Sequence, residues 1–121
     1  MKLKSTLPTL LLVMLAVVQL FVPVTPAEVT PRRIEVTAQR FQFTPAEITL
    51  KKGEPVVLVL RSMDTTHGLQ VRELGLETKI HKGRPTELAF TPDKTGTFVG
   101  HCSVFCGEGH GSMMLTLHVV E

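Results

Sequence analysis

From Ile34 onward, apolar and polar positions alternate in short stretches. Ile34-Glu35-Val36-Thr37-Ala38, Phe41-Gln42-Phe43 and Ile48-Thr49-Leu50 each follow the two-residue period of a half-buried strand. Lys51-Lys52-Gly53-Glu54 then makes a turn, and Pro55-Val56-Val57-Leu58-Val59-Leu60 is a continuous apolar run with the length of one buried strand. His67-Gly68-Leu69-Gln70-Val71 follows a polar Asp64-Thr65-Thr66 loop. Lys82-Gly83-Arg84 separates residues 76–80 from 86–90, Pro92-Asp93-Lys94-Thr95-Gly96 turns into residues 97–100, and residues 115–119 alternate to the end. Seven or eight short strands spaced by Gly, Pro and Asp turns predict an all-β chain, an antiparallel sandwich or barrel. No segment past the N-terminus repeats its apolar positions at 3.6 residues, and there is no internal repeat. About 90 residues close one core between two sheets and leave little for further lobes.

The N-terminus breaks this pattern. Lys2 and Lys4 precede an almost wholly apolar run from Leu7 to Val22, and Thr25-Pro26-Ala27 ends on a small residue. Residues 1–27 therefore read as a secretory signal peptide, or as an uncleaved membrane anchor; the run from Thr9 to Val22 is short for a span of about 20 residues. Either reading leaves the lysines inside and the domain exported, in the periplasm or on the outer face of the cytoplasmic membrane. Residues 28–33, stiffened by Pro31, form a linker, and 34–121 form the domain.

Charge adds only exclusions. The formal net charge of +2 is accounted for by Lys2 and Lys4, which leaves a neutral domain without a basic run. Nucleic acid and anionic membrane surfaces are poor partners for such a domain. The chain also lacks Trp and Tyr, the usual stacking platforms for bases.

The chemistry concentrates in one stretch, His101-Cys102-Ser103-Val104-Phe105-Cys106-Gly107-Glu108-Gly109-His110-Gly111-Ser112-Met113-Met114. It holds both cysteines, two of five histidines and two of five methionines. Thiolate, imidazole and thioether form a soft donor set. Cys and Met favour copper(I), and imidazole suits copper in either oxidation state. Zinc gains little from Met, and calcium or magnesium want oxygen. Gly107, Gly109 and Gly111 disfavour a helix and let the backbone fold tightly around something. The loop joins two strands, so its ligands sit at one end of the sandwich. His67, at the start of a strand after a buried one, is the candidate from a neighbouring loop. The competing readings explain less. A Cys102–Cys106 disulfide leaves His67, His110 and Met113 without a role. An iron–sulfur centre wants more cysteines or a Rieske spacing that is missing. A Cys nucleophile with a His base uses neither the second cysteine nor the methionine.

The loop resembles the dinuclear copper (CuA) motif of cytochrome c oxidase subunit II and of the nitrous oxide reductase copper domain, C-x-x-x-C-G-x-x-H-x-x-M with an upstream His. Cys102, Cys106, Gly107, His110 and Met113 fill it, with His67 upstream. Phe41-Gln42-Phe43-Thr44-Pro45 and Ile48-Thr49-Leu50-Lys51-Lys52-Gly53 are similar to the early strands of cupredoxins. The resemblance implies a cupredoxin-like Greek-key sandwich holding two copper ions per chain. Cys102 and Cys106 would bridge them, His67 and His110 would each bind one, and Met113 and the Val104 carbonyl would be weak ligands. It implies a non-catalytic electron carrier or oxidoreductase subunit, with a cytochrome or respiratory-chain subunit as redox partner. A periplasmic copper-delivery protein and a mononuclear blue-copper carrier are the alternatives.

Two departures stand out. The oxidase subunit commonly carries Glu at the position of Val104, and it uses aromatics near the site where this chain has no Trp. Both bear on membership of an oxidase complex, not on the metal site. Among the remaining residues, Met114 reads as core or rim, His101 as a neighbour of the site, His81 as solvated and His118 as an ordinary strand histidine. Asp64 is a candidate to orient His67, and Glu108 is a candidate docking charge. Phe105 and Leu69 are expected to form an apolar rim for a redox partner.

Overall fold

The computed structural model describes residues 19–121, so most of the N-terminal apolar run lies outside the described residues. Among the described residues no helix is long and apolar enough to cross a membrane. The described residues form nine strands in order: β1 (Arg32–Gln39), β2 (Gln42–Thr44), β3 (Glu47–Lys51), β4 (Val56–Ser62), β5 (His67–Val71), β6 (Leu76–Ile80), β7 (Thr86–Phe90), β8 (Gly96–His101) and β9 (Met114–Val120). Single 3-10 turns lie at Arg72–Leu74 and His110–Ser112. The second falls inside the glycine-rich loop, which is too short and too rich in glycine to extend it.

The strands form two sheets, a four-stranded one in the order β2-β1-β4-β7 and a five-stranded one in the order β3-β9-β8-β5-β6. Their inner faces make one core. In β9, Leu115, Leu117 and Val119 are buried and alternate with more exposed residues, as the two-residue period requires. β4 differs because Val56 through Leu60 are all buried, which is why its sequence reads as an unbroken apolar run. Phe43, Ile48, Leu50, Leu69, Ile80 and Phe98 fill the space between the sheets.

Pairing direction departs from the all-antiparallel expectation. β1 runs parallel to β4, and β3 runs parallel to β9, while the other pairs are antiparallel. Alternation marks which face of a strand is buried but carries nothing about the direction of its neighbour. Direction is set here by the short turns that send the chain from one sheet to the other between β2 and β3 and between β3 and β4.

The topology fixes where the chemistry collects. β8 ends at His101, the ligand-rich loop spans 102–113, and β9 starts at Met114 beside the end of β8. β5 begins at His67 after the loop of residues 63–66 that leaves β4. The loop from β4, the loop from β8 and the β1–β2 turn at Arg40-Phe41 meet at this one end, where Met63 N–H bonds the Ala38 carbonyl at 2.9 Å.

Candidate metal centre

His67 is wholly buried, the one charged or polar side chain in the core among the described residues. A buried imidazole requires partners for both ring nitrogens. Nε2 lies 2.6 Å from Asp64 Oδ1. Asp64 is also held by the backbone N–H of Arg40 on Oδ2 at 2.8 Å and of Thr65 on Oδ1 at 2.7 Å. Burial works against its charge, but these N–H donors and His67 outweigh burial and pull its carboxyl down to about 2. The carboxylate is thus an acceptor only, so Nε2 carries the imidazole proton and donates it. Nδ1 is left with a free lone pair, 3.9 Å from Cys102 Sγ.

The two cysteines are free and buried, with their sulfurs 3.8 Å apart. A disulfide bond is about 2.05 Å long, so the pair is two separate thiols. Cys106 Sγ lies 3.8 Å from His110 Nδ1 and 3.9 Å from Met113 Sδ. Cys102 Sγ donates to the Val104 carbonyl at 3.2 Å. The donors are therefore shared out evenly. Each sulfur has one imidazole Nδ1 and one weak donor, a carbonyl for Cys102 and a thioether for Cys106.

His67, Cys102 and Cys106 offer ligand atoms that all lie within 4.8 Å of one another, and could hold a metal ion. Burial pushes the Cys106 thiol up to about 11, and the neighbouring Cys102 adds to the rise. Two adjacent buried thiolates are unfavourable unless a cation lies between them. A soft cation matches this donor set of thiols, imidazoles and thioether, so the residues present fit copper.

Two supporting residues are missing from any reading of the motif. Arg40, in the β1–β2 turn, donates its guanidinium Nε to the Cys106 carbonyl at 2.8 Å, while its backbone N–H holds Asp64. One residue thus ties the Cys106 loop to the His67 loop. Phe41 packs its ring on the glycines of the ligand loop. A Cβ at Gly107 would lie 2.8 Å from Phe41 Cε1, and one at Gly109 only 2.4 Å from Phe41 Cδ2. The alternating glycines signal close approach, and what approaches them is this ring. Gly68 answers a similar need, since a Cβ there would lie 2.2 Å from Ser103 Oγ.

The outer residues are placed as follows. Met113 is buried and Met114 points outward. Phe105 is 76% exposed and its ring sits 5.8 Å from that of His110. Leu69 does not share that rim. It is wholly buried in the core, because the inward face of β5 takes it between the sheets. His81 is half-buried, Glu108 is exposed, and His118 lies on the outer face of β9 with Thr97 Oγ1 at 3.3 Å and Glu47 Oε1 at 3.5 Å. An open cleft of about 430 Å³ leads in from the surface past His101, Ser103, Arg72 and Glu77, and reaches Cys102 and His110.

A two-sheet β-sandwich with two buried thiols, a buried thioether, one buried and one half-buried imidazole gathered at one end defines a small metalloprotein of the copper-binding type. The model of the cupredoxin-like domain matches residues 11–114, and the chain belongs to that family. A relative, the probable cytochrome c oxidase subunit 2 of Streptomyces coelicolor, is 35% identical over 72 residues. The match takes in 60% of this chain but only 23% of that relative's length. The fold is similar to the periplasmic domain of subunit II of cytochrome oxidase from Bradyrhizobium japonicum, with a TM-score of 0.68 at 21% identity over 78% of this chain and 88% of that one. It is also similar to auracyanin A, a blue copper protein of Chloroflexus aurantiacus, with a TM-score of 0.63 at 16% identity over 75% of this chain and all of that one.

Proposed function

We propose that this chain is an exported electron-transfer domain holding a CuA-like pair of copper ions, of the kind carried by cytochrome c oxidase subunit II. The observation that carries this reading is the even division of donors. A mononuclear site would gather both imidazoles on one sulfur and leave the other thiol idle. Here each sulfur has its own imidazole, at 3.9 and 3.8 Å, with the sulfurs 3.8 Å apart. The ligand set is His67, Cys102, the Val104 carbonyl, Cys106, His110 and Met113. When bound, such a centre takes up and gives back single electrons, with the charge spread over two metals.

The chain's own residues prepare that exchange. Asp64 sets the His67 tautomer and presents Nδ1. Arg40 and Phe41 hold the Cys106 loop against the sandwich, which limits movement between redox states. Val104 contributes its backbone carbonyl, and its apolar side chain leaves the site without a further carboxylate. His110, at the cleft and beside the exposed Phe105 ring, is the ligand nearest a docked redox protein. We assign that partner as a cytochrome or a respiratory-chain subunit. Export by the N-terminal segment, as a signal or as an anchor, puts the domain in the periplasm or on the outer membrane face. The chain then acts as a carrier or as a non-catalytic subunit of an oxidoreductase.

Copper counting and electron paramagnetic resonance test this. Two coppers per chain and a seven-line hyperfine pattern are expected, because one electron is then shared by two nuclei of spin 3/2. Cys106→Ser should remove that pattern. One copper per chain with four lines, unchanged by Cys106→Ser, would overturn the dinuclear assignment.

A further inference from the structure

His101 and Met114 stand directly opposite each other on β8 and β9. The neighbouring bond runs from Cys102 N–H to the Met113 carbonyl at 3.1 Å, which makes this a non-hydrogen-bonded pair. Such pairs bring their β-carbons to about 5 Å on the same face of the sheet. That face is the outer one: both residues are exposed, Met114 to 45%. An imidazole and a thioether are thus displayed side by side in solvent. Each is one residue from a buried ligand, Cys102 and Met113. Met114 leaves close to half of its surface in solvent, and among the described residues neither side chain makes a hydrogen bond that accounts for the pairing.

From His101 there is also a route inward. His101 lines the open cleft, and Cys102, 4% exposed, lies along the same cleft. Glu77, which accepts from Gln70 Nε2 at 3.4 Å, lines the same cleft as Arg72, whose guanidinium is held by Gln70 Oε1 at 3.2 Å, so the passage carries both signs of charge and is not closed to a cation. Imidazole and thioether together suit copper(I), which accepts few and soft ligands, better than zinc or the oxygen-seeking cations.

We propose that His101 and Met114 form an outer copper(I) site that captures the ion and passes it through the cleft to Cys102. This rests on the buried centre being a copper site. The transfer is a ligand exchange without electron transfer. The bonds from copper(I) to the Met114 sulfur and the His101 imidazole nitrogen break, a bond to Cys102 Sγ forms, and the Cys102 thiol proton leaves to solvent.

The test uses the full chain and copper(I) supplied anaerobically against a competing chelator. Wild type should take up one weakly held equivalent beyond those of the buried centre. His101→Gln/Met114→Leu, both at exposed positions, should lose that equivalent and fill the buried centre several-fold more slowly, to the same final spectrum. Cys102→Ser/Cys106→Ser should keep the weak equivalent, with sulfur scattering in X-ray absorption that disappears when Met114→Leu is added. Met114→Leu alone, checked by its melting curve, serves if the double variant folds poorly. Loading rate and stoichiometry unchanged in the Met114→Leu variants would overturn the outer site even where the buried centre forms normally. Retention of the weak equivalent without a buried two-copper centre would uphold the outer site and overturn the function assigned to the centre.

Discussion

Asp64→Asn replaces one oxygen of a carboxylate that accepts from Arg40 N–H, Thr65 N–H and His67 Nε2. An amide in the same place has one acceptor oxygen, and its NH₂ would face a donor. Depression of the carboxyl from 3.8 to about 2 corresponds to roughly 2 kcal/mol of preference for the charged form in the folded state. That agrees with the ~1.5–3 kcal/mol typical of hydrogen bonds to a charged group. Because the folded pKa lies below the unfolded one, this stability is fully present above about pH 4. It is lost as the pH falls from there through about 2. Urea unfolding of the metal-free protein at pH 7 should show the variant less stable by about 2 kcal/mol, with the gap closing as the pH is lowered through that window. In the variant His67 is also free to place its proton on Nδ1, so copper affinity should fall by about 10- to 100-fold. Equal stability of variant and wild type at pH 7, with equal copper affinity, would refute the role given to Asp64.

Gly109→Ala would put a Cβ 2.4 Å from the Phe41 ring, and should cost about 1–3 kcal/mol in denaturant titrations; Gly111→Ala, with open space around it, should be close to neutral. Arg40→Met should loosen the link between the two ligand loops and shift the reduction potential of the copper-loaded protein, while Arg40→Lys should restore part of the copper affinity and little of the potential, since a lysine cannot reproduce the planar guanidinium bond to the Cys106 carbonyl. Copper loading should release protons and weaken as the pH falls, because the Cys106 thiol, raised to about 11, must lose its proton to bind; proton release by calorimetry in buffers of different ionisation enthalpy measures this.

The all-β class and most of the strand positions are legible in the residue pattern alone, because burial of one face imposes a two-residue period that is visible locally. The same local reading marks out the candidate donors, since soft ligand types at close spacing have few other uses. Pairing direction was left to the tertiary structure. The parallel contacts of β1 with β4 and β3 with β9 depend on how the chain crosses between sheets, which no local pattern records. Leu69 illustrates the same limit from the other side. It lies two residues from the buried candidate donor His67, yet strand geometry sends it into the core and leaves Phe105 alone on the rim. Arg40 and Phe41 lie more than 60 residues before Cys106 and carry no motif, so their roles follow only from the β1–β2 turn arriving at the ligand loop. The even sharing of imidazoles and weak donors between the two sulfurs is likewise a fact of three dimensions. The loop supplies the ligand types, and the sandwich decides which sulfur each one faces.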